Sequence, residues 1–190
     1  PFPDKTIWVN IKKSDFKQYL MMVSRGCPHS CSFCFNSTMH ELYKGQKLVR
    51  FRSVNNVIAE LKKAKEYFNI NWVLPMDDNL TLKIDWFRDF AQQYQKYISV
   101  PYCATTHPLT VDKERAKLLK DSGCRYVKFG IQSGCETVRR NAMDRYETNA
   151  QFLMATSACK KIGLSFTADH IFGVDDSDQA LNESAKLYNQ

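Results

Sequence analysis

Three cysteines stand close together in the stretch Ser24-Arg25-Gly26-Cys27-Pro28-His29-Ser30-Cys31-Ser32-Phe33-Cys34. The spacing, C-x3-C-x2-C, brings three thiols within reach of one small object. Gly26 and the serines let the chain wrap tightly, and Pro28 biases Cys27 toward extended geometry. Three thiolates suit a cubane 4Fe–4S cluster that leaves one iron without a protein ligand. An open iron is useful only if something else must bind it. Other readings use the same residues. A zinc ion could take the three thiolates with His29 or His40 as fourth ligand. The spacing i, i+4, i+7 also fits a buried helical stripe, against which Pro28 and the small polar residues argue. Disulfides fit poorly, since three cysteines cannot pair among themselves. Cys103, Cys124, Cys135 and Cys159 are scattered singly and read as small apolar fillers. Seven cysteines without paired spacing or a leader point to a reducing, cytoplasmic compartment and to metal chemistry.

The elements that would hold this loop can be read from periodicity. Strand-length apolar runs at 19–24, 70–75, 98–104, 125–131 and 164–171 alternate with segments of helical period. Ser53 can cap a helix whose stripe is Val54, Val57, Ile58, Leu61, Ala64 and Phe68. Thr81 or Asp85 starts the next, with Trp86, Phe87, Phe90, Ala91 and Tyr94 inward. Thr110 opens a third that Gly123 closes, Thr148 a fourth that Gly163 closes, and a fifth begins near Ser177. This alternation predicts βαβ units and a parallel sheet. A closed eight-unit barrel needs about 250 residues, so an open partial barrel or a doubly wound sheet remains. Either places chemistry at the carboxyl ends of the strands, and the cysteine loop directly follows the first.

Strand alternation assigns faces. In the fourth strand Val127, Phe129 and Ile131 lie under the helices, while Tyr126, Lys128, Gly130 and Gln132 face the interior. In the fifth, Leu164, Phe166 and Ala168 point outward and Thr167 and Asp169 inward. A charge on an inner wall is costly unless paired or wet. Lys128 and Asp169 are therefore expected to line a substrate cavity or to pair with each other.

The 190 residues carry a formal net charge of +7. The basic residues are mostly interspersed with acids, so solvated helix faces account for them better than a nucleic-acid surface does. The segments 44–52 and 139–145 are the local exceptions. No run of about 18 apolar residues suggests a membrane span. The chain opens on Pro1 and stops at Gln190 in a helix-like stretch, which reads as a segment of a longer protein, with 1–18 a linker or extension and 19–190 the core domain.

C-x3-C-x-aromatic-C after a first strand, with Phe33 as the aromatic residue, resembles the signature of the radical S-adenosylmethionine (SAM) superfamily. The wider string Ser-Arg-Gly-Cys-Pro-x-x-Cys-x-Phe-Cys is similar to the branch that includes cobalamin-dependent members and the anaerobic magnesium-protoporphyrin ester cyclase. Arg50-Phe51-Arg52-Ser53 with Val57-Ile58-x-Glu60, Asp77-Asp78-Asn79, and Phe129-Gly130-Ile131-Gln132-Ser133-Gly134 continue the likeness in order. The resemblance implies a partial (βα)6 TIM-like barrel, with five units seen and the sixth beyond Gln190. It implies a 4Fe–4S cluster on Cys27, Cys31 and Cys34, and SAM chelated to the fourth iron. Asp77 and Asp78 would take the amino group of SAM, and Gln132 and Ser133 its ribose or methionine part. Arg145 would approach its carboxylate. Asp169-x-Ile171-x-Gly173-x-x-Asp176 resembles the pattern near the adenine, with Asp in place of the first Gly and the final Glu. Gln132 stands where many relatives carry Glu, and His107 where many carry Arg, as a loop residue near substrate.

The activity implied is reductive cleavage of SAM to start radical methylation, cyclisation or rearrangement of an organic substrate. Flavodoxin or ferredoxin would supply the electron. Pro-Phe-Pro-Asp at the start resembles the linker after a cobalamin-binding domain, so cobalamin held outside this chain is a further expected cofactor. A tRNA-modifying methylthiotransferase and a noncatalytic zinc module are the alternatives.

Overall fold

The computed structural model describes Phe2, residues 18–175 and residues 177–190. The expected linker, apart from Phe2 and Gln18, and Asp176 lie outside the described residues. The elements run β1 (Gln18–Met21), β2 (Ser24–Arg25), α1 (Phe35–Leu42), β3 (Arg50–Phe51), α2 (Val54–Phe68), β4 (Trp72–Pro75), α3 (Ile84–Tyr97), β5 (Tyr102–Thr106), α4 (Lys113–Asp121), β6 (Cys124–Gln132), α5 (Glu136–Met143), α6 (Asn149–Lys160), β7 (Ser165–His170) and α7 (Asp178–Tyr188).

Five strands form one parallel sheet in the order β1-β4-β5-β6-β7. Spatial order follows chain order, so every crossover steps the same way and the helices gather on one face. That winding selects the open partial barrel over the doubly wound sheet. The helix-facing residues alternate as expected: Val127, Phe129 and Ile131 are wholly buried, and Phe129 meets Phe152 of α6 edge-on. Val57 and Leu61 of α2 and Phe87, Phe90 and Tyr94 of α3 fill the same core. Tyr94 and Tyr102 are buried to their hydroxyls, which bond Val100 O (2.8 Å) and Ser122 Oγ (2.7 Å).

Caps at Ser53, Thr148 and Ser177 form as the sequence suggests. Each accepts from the backbone N–H three residues on, and Thr148 completes a capping box with Gln151. Several expectations shift. The first strand ends at Met21 rather than Ser24, and α3 begins at Ile84 with Lys83, not Thr81 or Asp85, as its N-cap residue. Residues 98–101 are not strand: Ile98 ends α3, Ser99 turns left-handed (φ 53°), and both amides bond Tyr94 O. Pro101 has no N–H to give a ladder, so β5 starts at Tyr102 and runs on to Thr106. Thr110 does not open the third helix. It closes a 3-10 turn, and Asp112 caps α4 by accepting from Arg115 N at 2.8 Å. The helices α1 and α5 and the antiparallel β2–β3 ribbon were not expected; all three border the cysteine loop.

Candidate active site

The cysteine loop leaves β1 at the carboxyl edge of the sheet and is fixed at several points. Asp77, just past the end of β4, is buried and accepts from Val23 N (3.2 Å), Ser24 N and Ser24 Oγ. Burial pushes this carboxyl upward in pKa, opposed by those donors. Gly26 has φ 82°, and a Cβ there would stand 2.2 Å from Leu48 O, so the chain passes only because no side chain is present. Ser32 donates from N (3.2 Å) and Oγ (2.7 Å) to the carbonyls of Met143 and Ala142 at the end of α5. Cys34 N bonds Cys31 O at 3.0 Å, and Cys34 is the N-cap residue of α1.

All three thiols are free. Asn36 Nδ2 lies 3.6 Å from Cys34 Sγ, and Arg145 Nη1 lies 3.7 Å from Cys31 Sγ. Both are donors suited to a thiolate. Burial raises the Cys27 thiol to about 11, with the Asp78 charge adding to the rise; metal binding would deprotonate it outright. Among the described residues no three His, Cys, Asp or Glu side chains converge closely enough for one metal ion. Ligands of a cluster each reach a different iron and need not converge so closely. His40 Nε2 is bound to Cys27 O at 2.7 Å, and His29 stacks on His107 (centroids 4.1 Å apart). Each imidazole has a partner other than the thiols. The donor set therefore fits a cluster with one open iron better than a single zinc.

Behind the loop lies a buried charged network. Arg145 Nε donates to Glu147 Oε1 at 2.6 Å, and Arg145 Nη2 donates to Gly130 O. Arg139, fully buried, donates to Ser133 O, Glu147 O and Asn149 Oδ1. His107 is buried beside them. Expected as a loop residue near substrate, it is stacked on His29 of the cysteine loop, and both ring nitrogens have partners inside the protein. Leu109 N donates to Nδ1 at 3.2 Å, and Nε2 lies 3.0 Å from Arg145 Nη2 and 3.6 Å from Glu147 Oε2. That contact is no ion pair. Burial, then Arg145 and His29, lowers the imidazole to about 2.

The other expected residues are partly gathered. Asp77 is committed to the loop backbone, whereas Asp78 is half-buried and near Cys27. Gln132 ends β6 with φ 70°, beyond an irregularity in the β6–β7 register. Its amide occupies the space a side chain on Gly130 would need, 2.8 Å from the Cβ position. Ser133 is buried, its Oγ accepting from Cys135 N at 3.2 Å. Gly173 lies in the loop after β7 with φ 86°, and Phe33 is 43% exposed. Lys128 and Asp169 stand diagonally on the open face of β6 and β7, opposite Thr167 and Gly130, with no ion pair between them. Cys103, Cys124, Cys135 and Cys159 are all buried. Glu147 escaped the sequence reading, while Arg139 entered it only as part of a basic segment and His29 only as an alternative zinc ligand. A buried Glu between two Arg resembles any charged loop until its partners are placed.

Residues 21–188 match the radical SAM superfamily. The chain belongs to it. Members of this enzyme superfamily use a 4Fe–4S cluster and SAM. The chain is 30% identical over 158 residues to an uncharacterised methyltransferase of Pyrococcus horikoshii, covering 83% of this chain and 33% of the relative. It is 32% identical over 127 residues to cytidylyl-2-hydroxyethylphosphonate methyltransferase of Streptomyces wedmorensis, covering 66% and 23%. This radical SAM chain thus spans a third or less of these curated relatives' length. In fold it is similar to the radical SAM methyltransferase TsrM from Kitasatospora setae, solved with cobalamin and a 4Fe–4S cluster. The TM-score is 0.74 at 16% identity, over 92% of this chain and 32% of that one.

Proposed function

We propose that this chain is the initiating core of a radical SAM enzyme that methylates, or otherwise modifies, a small biosynthetic intermediate. The observation that carries the reading is the loop of three free thiols pinned at the carboxyl end of β1, with Arg145 held against Cys31. When bound, the cluster and SAM supply reductive cleavage of the sulfonium to a 5′-deoxyadenosyl radical. Cys27, Cys31 and Cys34 hold the cluster, and Asp77 fixes the loop that carries them. Asp78, half-buried near Cys27, is free to take the ammonium of SAM where Asp77 is not. Arg145 lends positive charge to the carboxylate side, held by Glu147. Gln132 and Ser133 shape the turn beside it, and Gly173 leaves room at the end of β7. Lys128 and Asp169 face the substrate.

Methyl transfer is the favoured subtype because both relatives above are named as methyltransferases. Cobalamin held outside these residues is part of that proposal, as is a flavodoxin or ferredoxin as electron donor. The test is anaerobic purification of the longest natural form, with iron and sulfide assayed, followed by reduction in the presence of SAM. Four irons per chain and release of 5′-deoxyadenosine are expected, both lost in Cys31→Ala. One zinc per chain, with no sulfide and no charge-transfer absorbance, sinks the reading.

A further inference from the structure

A cleft of about 610 Å³ opens between β1, the β2–β3 ribbon and the start of α2, lined by Leu20, Met22, Met76, Phe51, Arg25 and Arg50 among others. Its volume is that of a small-molecule site, roughly 300–1,000 Å³. Two features of its wall need explanation. The first is apolar exposure. Tyr19 and Met21 of β1 turn into the core, which leaves Leu20 and Met22 on the other side, 46% and 45% exposed, with Met76 beside them at 52%.

The second feature is a like-charge pair. In the β2–β3 ribbon Arg25 and Arg50 are directly opposite each other in register. Like charges facing across an antiparallel pair destabilise it, and among the described residues neither arginine has an ion-pair partner. Arg52, in the same cleft, shows what a structural arginine does here. It pairs with the buried Glu60, donates to Asn56 Oδ1 at 2.8 Å and to Met22 O at 3.0 Å, and so ties the ribbon to α2 and β1. Glu60 is thereby neutralised, and Asp77 is bonded to the backbone of Val23 and Ser24. Among the described residues the guanidinium groups of Arg25 and Arg50 are left without a carboxylate. Arg25 is two residues from Cys27, and Arg50 also borders the pocket that Gly26 and Cys27 line.

We propose that this cleft binds the enzyme's substrate and that the substrate is an apolar body bearing an oxyanion. The anion, a carboxylate or a phosphate, sits between Arg25 and Arg50, whose planar forks suit either. The apolar part lies along Leu20, Met22 and Met76, beside the cluster loop. That this ligand is a substrate rests on the radical SAM reading; that the cleft binds such a ligand does not.

Calorimetry on the full chain with dodecanoate, dodecyl phosphate and dodecanol, each below its micellar concentration, tests it. At least one of the anions is expected to bind tenfold or more tightly than the alcohol, and the better one identifies the headgroup. Arg25→Gln with Arg50→Gln removes the anion preference and leaves the alcohol within twofold. Met76→Ser weakens all three ligands. Should the double variant fail to fold, single Arg50→Gln and a salt titration serve instead: salt weakens the anions and spares the alcohol. Equal affinity for all three ligands overturns the proposal, as does a tenfold preference that survives the arginine changes. Iron content is read on the same samples, so loss of the cluster assignment and loss of this binding are separate results.

Discussion

Arg145 is the residue on which the site turns. It touches Cys31, Gly130 O, His107 and Glu147 at once. Together with Arg139 it places two buried guanidiniums against one buried carboxylate, which leaves one positive charge in excess beside the thiols. A buried charge without compensation is costly, and thiolates bearing a cluster would supply the compensation. Removing that charge should make the cluster harder to reduce. Arg145→Gln is therefore expected to lower the midpoint potential by roughly 30–60 mV, a few-fold to tenfold for a one-electron couple. Glu147→Gln, which adds net positive charge, should raise it. Potentiometric titration followed by electron paramagnetic resonance reads both; shifts of the same sign would mean the network only props up the loop. His107 gives a second prediction. Its folded value of about 2 lies below the ordinary 6.5, so between these limits the unfolded chain binds a proton that the folded chain refuses. Stability from this group is complete above about pH 6.5 and falls as pH drops, by at most about 1.4 kcal/mol per unit. Urea midpoints of the apoprotein from pH 7.5 to 5 should fall more steeply than those of His107→Gln. Parallel profiles would contradict the buried neutral ring.

Among the elements, α5 and α7 decide how the end of β6 is held. A Cβ on Gly134 would lie 2.3 Å from Ser184 Cα, and Gly134 N bonds Ser184 Oγ at 2.8 Å, so α7 docks directly on the turn after β6. Ala180 of α7 packs with Cys135, Val138 and Met143 in a small second core. Gly134→Ala should lift α7 away and cost about 1–3 kcal/mol, while Ser184→Ala should cost about 1 kcal/mol. Thermal melts measure both, and an unchanged Gly134→Ala protein would mean α7 sits elsewhere. Such docking was not legible in the sequence. The strands were, because a buried parallel strand is a dense apolar run, and so were the caps at Ser53, Thr148 and Ser177, because capping is local chemistry. Helix α5 was missed because Glu136–Met143 carries a short polar stretch whose inward residues include Arg139. No periodicity argument places an arginine inward before its carboxylate partner is known. The cysteines announced themselves by spacing. Asp77 did not reveal that its partner would be the loop backbone, since that contact spans more than fifty residues.

At the scale of the molecule, the described helices cover the sheet on one face. Helices α2, α3, α4 and α6 pack on the outer side. Toward β1 and β4 the inner side bears Leu20, Met22 and Met76, and toward β6 and β7 it bears Lys128, Thr167 and Asp169. Parallel sheets are ordinarily covered on both faces, so a half-apolar wall of this kind calls for a cover of ligand or protein. The similarly folded TsrM matches 92% of this chain, which spans only 32% of it. This 190-residue chain, produced alone, is therefore expected to enhance the fluorescence of an anilinonaphthalene dye and to self-associate at micromolar concentration, since exposed apolar patches of this kind promote association. Leu20→Lys with Met76→Lys should reduce both effects without lowering the melting temperature by more than a few degrees, because neither side chain contributes to the buried core. A wild-type chain that sediments as a monomer and leaves the dye dark would overturn this expectation.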